Sequence, residues 1–150
     1  MIYLASDHAG LKLKKEITSF LKQAKIDFID IGPNQYDESD DYPDFIIPAA
    51  QKVAENPERN KAIVLGGSGQ GEAIAANKVK GIRAIVFYGG QKEIISLSRI
   101  HNNANVLSLG ARFISKEEAI EAIKLWLETE YLKEERHERR TQKIKNFENR

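Results

Sequence analysis

Cysteine is absent from the 150 residues. That single absence excludes a disulfide framework, a thiolate metal site and a cysteine nucleophile. An excess of one charge is missing too: 23 Lys and Arg stand against 22 Asp and Glu, a net charge of +1. No whole-protein field gathers nucleic acid or an anionic membrane, so neither is expected as a partner. No apolar run approaches the roughly 20 residues that a bilayer requires. The chain opens directly on the strand-like MIYLAS, without a basic stretch leading into an apolar one, so no signal peptide is expected and the expected location is cytoplasmic. Histidine is scarce. His8, His101 and His137 show no ligand-like spacing, so no metal is expected; no other cofactor is expected either.

What is present alternates. Short β-prone runs are each followed by a turn signal and then a helical period. Ile2 to Ala5 is the first run, and Leu13, Ile17, Phe20, Leu21 and Ala24 recur at helical spacing behind it. Phe28 to Ile31 is a second strand, stopped by Gly32-Pro33; Asn34 to Tyr42 is polar and reads as a loop. A helix follows Pro43, although Pro48 conflicts with an early start. The third strand, Ala62 to Leu65, runs into a glycine loop and a helix over Glu72 to Val79. Further strands fall at Ile82 to Phe87 and Val106 to Leu109, with a helix containing Ile94 to Ile100 between them. Ser115-Lys116-Glu117-Glu118 is a capping box, and the helix behind it offers Ile120, Ile123, Trp126 and Leu127 to a core.

Five strand-helix units in 150 residues predict one α/β domain, with a five-stranded parallel sheet as the middle of a Rossmann-like three-layer sandwich. Residues 1–131 make up that body. Residues 132–150 form a charged C-terminal helical tail with few apolar anchors, namely Leu132, Ile144 and Phe147. Alone, such a segment does not hold a helix in water, so it must dock.

Ligands of open parallel sheets sit at the carboxyl ends of the strands. Here those ends carry Asp7-His8, the loop Gly66-Gly67-Ser68-Gly69-Gln70-Gly71, Gly89-Gly90, and Gly110-Ala111-Arg112. Four glycines in six positions let backbone N–H groups turn toward an anion, and the following helix adds the positive end of its dipole. The plain alternative is a strand-to-helix turn. A dinucleotide fingerprint starting at Gly67 fails because Glu72 stands where a small residue is needed, and a P-loop fails for want of a terminal Gly-Lys-Ser/Thr. Glu72, beside this cradle, is placed to remove a proton next to a carbonyl while the cradle holds the resulting oxyanion. It is also placed merely to stabilise the helix dipole. Asp7-His8 reads equally as a capping pair, and His101-Asn102 as a helix end. Arg136 and Arg140 are four apart, so on a helix they share a face that suits a phosphate or simple pairing with glutamates.

In combination these stretches resemble one family. SDHAG (6–10), DYPD (41–44), GGSGQGEAIAANK (66–78), GIRA (81–84), SRIHNNANVLSLGAR (98–112) and RHERR (136–140) occur in the order found in type B ribose-5-phosphate isomerases. Their superfamily also holds the galactose-6-phosphate isomerase subunits. The resemblance spans essentially the whole chain. It implies a homodimer, with a dimer of dimers as a further state, sites between subunits, and metal-free isomerisation through an enediolate. It casts Glu72 as the base and His101 as the residue that assists ring opening. Gly67, Ser68, Gly69, Gln70 and Gly71 become the anion hole; Asp7, His8 and Asn102 hold sugar oxygens; Arg112, Arg136 and Arg140 hold the phosphate. One branch of the family uses a cysteine base where this chain has Gly66, so the resemblance here is to the glutamate branch. It implies ribose 5-phosphate and ribulose 5-phosphate as the reacting pair. The same chemistry on galactose or allose 6-phosphate or on a tetrose phosphate stays open, as does a non-catalytic phosphosugar-binding module. The tail is expected to dock on the partner subunit.

Overall fold

The computed structural model describes residues 1–150. The expected units form in order: β1 (Ile2–Ser6), α1 (Leu11–Gln23), β2 (Phe28–Gly32), α2 (Pro43–Ala54), β3 (Lys61–Gly66), α3 (Gln70–Ala76), β4 (Ala84–Phe87), α4 (Glu93–Asn102), β5 (Val106–Gly110), α5 (Lys116–Glu128) and the tail helix α6 (Glu135–Glu148). The strands make one sheet in the order β2-β1-β3-β5-β4, every pair parallel.

Strand alternation divides the core between the two faces. Ile2, Leu4, Ile63, Leu65, Leu107 and Leu109 pack toward Leu13, Ile17 and Leu21 of α1 and Ala119, Ile123 and Trp126 of α5. Tyr3, Ala5, Ala62 and Val64 pack on the other side, against Ile46, Ala49 and Val53 of α2 and Ala75 and Ala76 of α3. Covered on both faces, β1 and β3 read in the sequence as nearly continuous apolar runs, and β5 as one interrupted by the buried Ser108. Ala24 lies exposed at the end of α1, and Ile120 and Leu127 are only half-buried, because α5 turns Ala119 and Ala122 inward instead.

Strand ends shift by a residue, and three elements differ more from the sequence expectation, α3 also ending at Ala76 rather than Val79. The α2 helix starts at Pro43 and runs straight through Pro48. Pro48 is exposed, so the carbonyl that loses its intrahelical donor faces water. The α3 helix starts at Gln70 rather than Glu72, and β4 starts at Ala84 rather than Ile82.

The chain leaves β1 for β2 on one side and returns to β3 on the other. A sheet of this kind opens a crevice at that reversal, at the carboxyl edge. Helices return the chain to the opposite, amino edge. The end of α4 therefore lies there, where Asn103 binds Glu58 and the Arg83 Nε donates to the Asn103 carbonyl.

Candidate active site

The glycine loop is shaped by contacts that tolerate no side chain. Gly69 adopts φ +76°, and a Cβ there would sit 3.0 Å from the Leu109 carbonyl carbon. The buried Ser108 hydroxyl donates to the Gly69 carbonyl at 2.6 Å, and the Arg112 N–H donates to the Gly67 carbonyl at 3.0 Å. With those carbonyls held by β5 and the turn after it, the N–H groups of Ser68 and Gly69 donate to nothing within the chain. They are free for an anion.

Glu72 sits in the first turn of α3, and only 4% of it is exposed. Burial pushes its carboxyl above the ordinary carboxylate range; the Asp7 charge pushes the same way, and a bond to its own backbone N–H partly opposes both. A side chain at position 66 would occupy the volume that the Glu72 carboxylate fills. Gly66 is therefore glycine for room.

The end of β1 supplies the facing wall. The Asp7 carboxylate accepts from the Gly10 N–H at 2.9 Å, closing the turn into α1. His8 contacts Asp40 through its ring Nδ1 at 2.6 Å and donates its backbone N–H to the same Asp40 oxygen at 3.2 Å. The loop carrying Asp40 is anchored at its start by the buried Lys14, whose ammonium donates to Asp30 at 2.6 Å and to the Pro33 carbonyl at 2.7 Å. At the loop's end the Tyr42 ring lies against Gly71. Arg112 brings its guanidinium within about van der Waals distance of Gly67. Together Asp7, His8, Tyr42, Gly67, Ser68, Gly71, Glu72 and Arg112 line an open cleft of 300 Å³. Gly69 lies behind its floor, held to Ser108. Gln70 points its side chain to solvent and donates its N–H to the Ser68 hydroxyl at 3.3 Å.

The remaining candidates gather elsewhere. His101 and Asn102 end α4, at the amino edge of the sheet, so His101 does not face the cleft of its own chain. A ten-residue helix separates its ends by about 15 Å. The His101 ring stacks on His137 of α6, with centroids 4.2 Å apart and planes 18° from parallel. His137 is buried, and that burial lowers its pKa, with the charge of a protonated His101 acting in the same direction. This stack brings Arg136 and Arg140, whose charges act on His137, to the same end of the chain as His101. The turn is held by the buried Arg99, whose guanidinium donates to the Ala104 carbonyl at 2.6 Å, the Asn103 side chain at 2.9 Å and the Thr129 carbonyl at 3.2 Å. The tail helix rests on its own chain through the His137 stack and through Glu148, which accepts the Gly81 N–H at 3.1 Å; its apolar Ile144 and Phe147 stay exposed.

Sequence reasoning passes over three residues that build the cleft. Tyr42 lies in the DYPD stretch and was within reach of it. Asp40 and Ser108 carry no local signal, because each acts on a loop more than 30 residues away.

Residues 2–144 match the Ribose/Galactose Isomerase family. Ribose-5-phosphate isomerase B of Mycobacterium tuberculosis is 42% identical over 147 residues, 98% of this chain and 89% of that protein. The crystal structure of ribose-5-phosphate isomerase B from Mycoplasma genitalium with bound ribulose-5-phosphate superposes with a TM-score of 0.93 at 41% identity, over 99% of this chain and 95% of that one. The Clostridium thermocellum ribose-5-phosphate isomerase B superposes with a TM-score of 0.90 at 40% identity, over 99% and 97%.

Proposed function

The chain belongs to the Ribose/Galactose Isomerase family, among its type B ribose-5-phosphate isomerases, and from that premise we propose that it interconverts ribose 5-phosphate and ribulose 5-phosphate through an enediolate, with Glu72 as the base. The observation that carries this reading is the buried Glu72 carboxylate at the mouth of a loop with free N–H groups, in one cleft with Asp7, His8 and Arg112. A carboxyl raised above its usual range is a stronger base once ionised. It takes the C2 proton of the open-chain aldose and returns it to C1. The charge that builds on the carbonyl oxygen falls to the N–H groups of Ser68 and Gly69. The glutamate branch of the mechanism accords with Gly66: the carboxylate fills the space where a side chain at that position would stand. Incubating the purified protein with ribose 5-phosphate and assaying for ketose tests the activity. A panel of hexose and tetrose phosphates ranks the sugars, and failure on every one would leave only a binding module.

The site is completed by a second copy of the chain. Glu72 and Arg112 lie at the carboxyl edge and His101, Asn102, Arg136 and Arg140 toward the amino edge, which supports a site shared between two chains. In a two-fold dimer the amino edge of each subunit meets the carboxyl edge of the other, and both sites are built at once. Exposed apolar side chains accord with a covered surface at the carboxyl edge, where Tyr88 and Phe113 pair edge to face while 53% and 65% exposed. The tail helix keeps its place on its own chain and reaches its partner's site with Arg136 and Arg140, which are exposed. A dimer of such dimers is compatible with this arrangement.

His101 assists ring opening. His101→Ala is expected to slow turnover of cyclic ribose 5-phosphate far more than exchange of the C1 proton of open-chain ribulose 5-phosphate. Equal losses in the two assays would remove that role.

The fold brings Asp7, His8 and Asp40 within 4.8 Å of one another, a proximity their sequence spacing conceals. The contact between His8 and Asp40 already engages two of these groups. Full activity is expected after exhaustive chelation. Activity lost to chelator and restored by a divalent ion would instead place a cation on this cluster.

A further inference from the structure

We propose that Asp40 is a positioning residue of this isomerase: it grips the His8 ring at Nδ1 so that the free nitrogen, Nε2, presents a proton to the phosphate end of the substrate. The proposal rests on the isomerase reading for the identity of that substrate.

Asp40 is an unusual place for a carboxylate. Its side chain is 7% exposed, and its Oδ2 is buried without a partner. Burying a carboxylate is costly unless donors face it. The donors that reach this side chain both belong to His8: the ring at 2.6 Å and the backbone N–H at 3.2 Å. An ionised carboxylate only accepts, so Nδ1 carries the proton in that contact. Nε2 then carries one too only when the ring is an imidazolium. Tyr36, on the same loop, meets the His8 ring edge-on at 5.8 Å and 86°, which fixes the plane of the ring. Lys14 ties down the start of that loop through Pro33.

The groups around His8 favour the charged ring on balance. Its pKa is raised, first by the bond to Asp40, with Asp7 acting in the same sense; burial and Arg112 oppose. Asp37, on the same loop, also senses the ring: its pKa is lowered chiefly by its hydrogen bonds from Ser39, with His8 acting weakly in the same sense. Across from these acids, His8 and Arg112 line both the cleft and an adjoining depression of 410 Å³ that exposes Lys12 and Lys15 from α1. Lys12, Lys15 and Arg112 make no ion pair within the chain. This is the end of the cleft that suits a dianion, and a protonated His8 adds a directed donor to it, a role at the phosphate in place of the sugar oxygen that the family resemblance implies for His8.

The sign follows. With its pKa raised, His8 stays charged below that value, and anion binding weakens as pH rises through it. Asp40→Asn removes the carboxylate, so the weakening moves to lower pH.

The test uses inorganic phosphate as probe and His8 as reporter. The three histidines allow ring resonances to be followed by NMR through a pH titration, with His8 assigned by loss of its signal in His8→Gln. In the wild type the His8 midpoint is expected above a histidine's ordinary value; a midpoint at or below it overturns the proposal, even if Asp40→Asn fails to fold. In Asp40→Asn the midpoint should fall, phosphate should bind about tenfold more weakly near neutral pH, and KM should rise more than kcat falls. Asp40→Glu, which keeps the charge, should recover part of each. In a His8→Gln background Asp40→Asn should add nothing; a further loss there means that Asp40 acts by another route. The NMR and phosphate measurements need no turnover, so they stand or fall separately from the isomerase activity.

Discussion

Glu72→Gln is expected to lower kcat by about 10²- to 10⁴-fold, the usual contribution of a positioned general base, while leaving KM largely unchanged. The glutamine keeps the volume that Gly66 leaves open and removes only the proton acceptor. Substrate should still bind through the loop N–H groups and Arg112. Single-turnover measurement of C2 proton exchange with solvent gives the clearest readout, because exchange needs the base and nothing after it. A variant retaining more than about a tenth of wild-type kcat would place the base elsewhere. The pH profile adds a second check. The Glu72 carboxyl titrates above the ordinary carboxylate range in the free enzyme, so the acid limb of kcat/KM should sit at that raised value.

The same substitution should stabilise the fold. A carboxyl whose folded pKa is raised holds its proton more tightly in the native state than in the unfolded one. Stability therefore falls as pH rises from the unfolded value through the folded one, and the cost persists at every higher pH. Glutamine carries no such cost. Glu72→Gln should melt above the wild type at neutral pH, by about 2–4 °C for each kcal/mol relieved in a chain of this size. The gap should close as pH falls below the ordinary carboxylate range. A lower Tm at neutral pH would mean that the carboxylate is structurally satisfied in a way its burial conceals.

The sequence reveals the sheet readily and the site only half. Strands β1, β3 and β5 are covered on both faces, so they read as predominantly apolar runs, and the turn residues after them mark the carboxyl edge without ambiguity. Glu72 and the glycine loop are legible because backbone geometry demands glycine there, at Gly69 for its left-handed φ and at Gly66 for the carboxylate beside it. The Asp40 contact with His8 spans 32 residues, and the Ser108 bond to Gly69 spans 39; nothing local announces a partner that distant. The place of His101 is hidden for a different reason. Its stretch carries as many polar groups as the cleft does, but helix direction alone sends it to the opposite edge of its own sheet. Patterns of residue type mark candidate side chains, and topology divides them between the two edges of the sheet.

That division predicts a complementation map. Glu72→Gln, His101→Ala and the pair Arg136→Ala with Arg140→Ala should each be nearly inactive as homodimers. Loss of both arginines removes two charge-assisted bonds to phosphate, each worth about 1.5–3 kcal/mol, and misplaces the reacting carbons as well. Glu72→Gln mixed with His101→Ala should recover activity after subunit exchange. In the mixed dimer one site joins an intact cleft to an intact His101, while the other site carries both lesions. Random exchange makes half the dimers mixed, so about a quarter of wild-type activity should return. Glu72→Gln mixed with the arginine variant should recover to the same extent. His101→Ala mixed with the arginine variant should stay inactive, because the stack of His101 on His137 puts all three residues on the same subunit's contribution, and every site in that mixture is damaged. The third mixture carries the decision. Recovery there, with exchange proven by mass-tagged subunits, would separate the arginines from His101 and place α6 over its own cleft. No recovery in any mixture would mean that each site is built from one chain, and the dimer would then have no catalytic role.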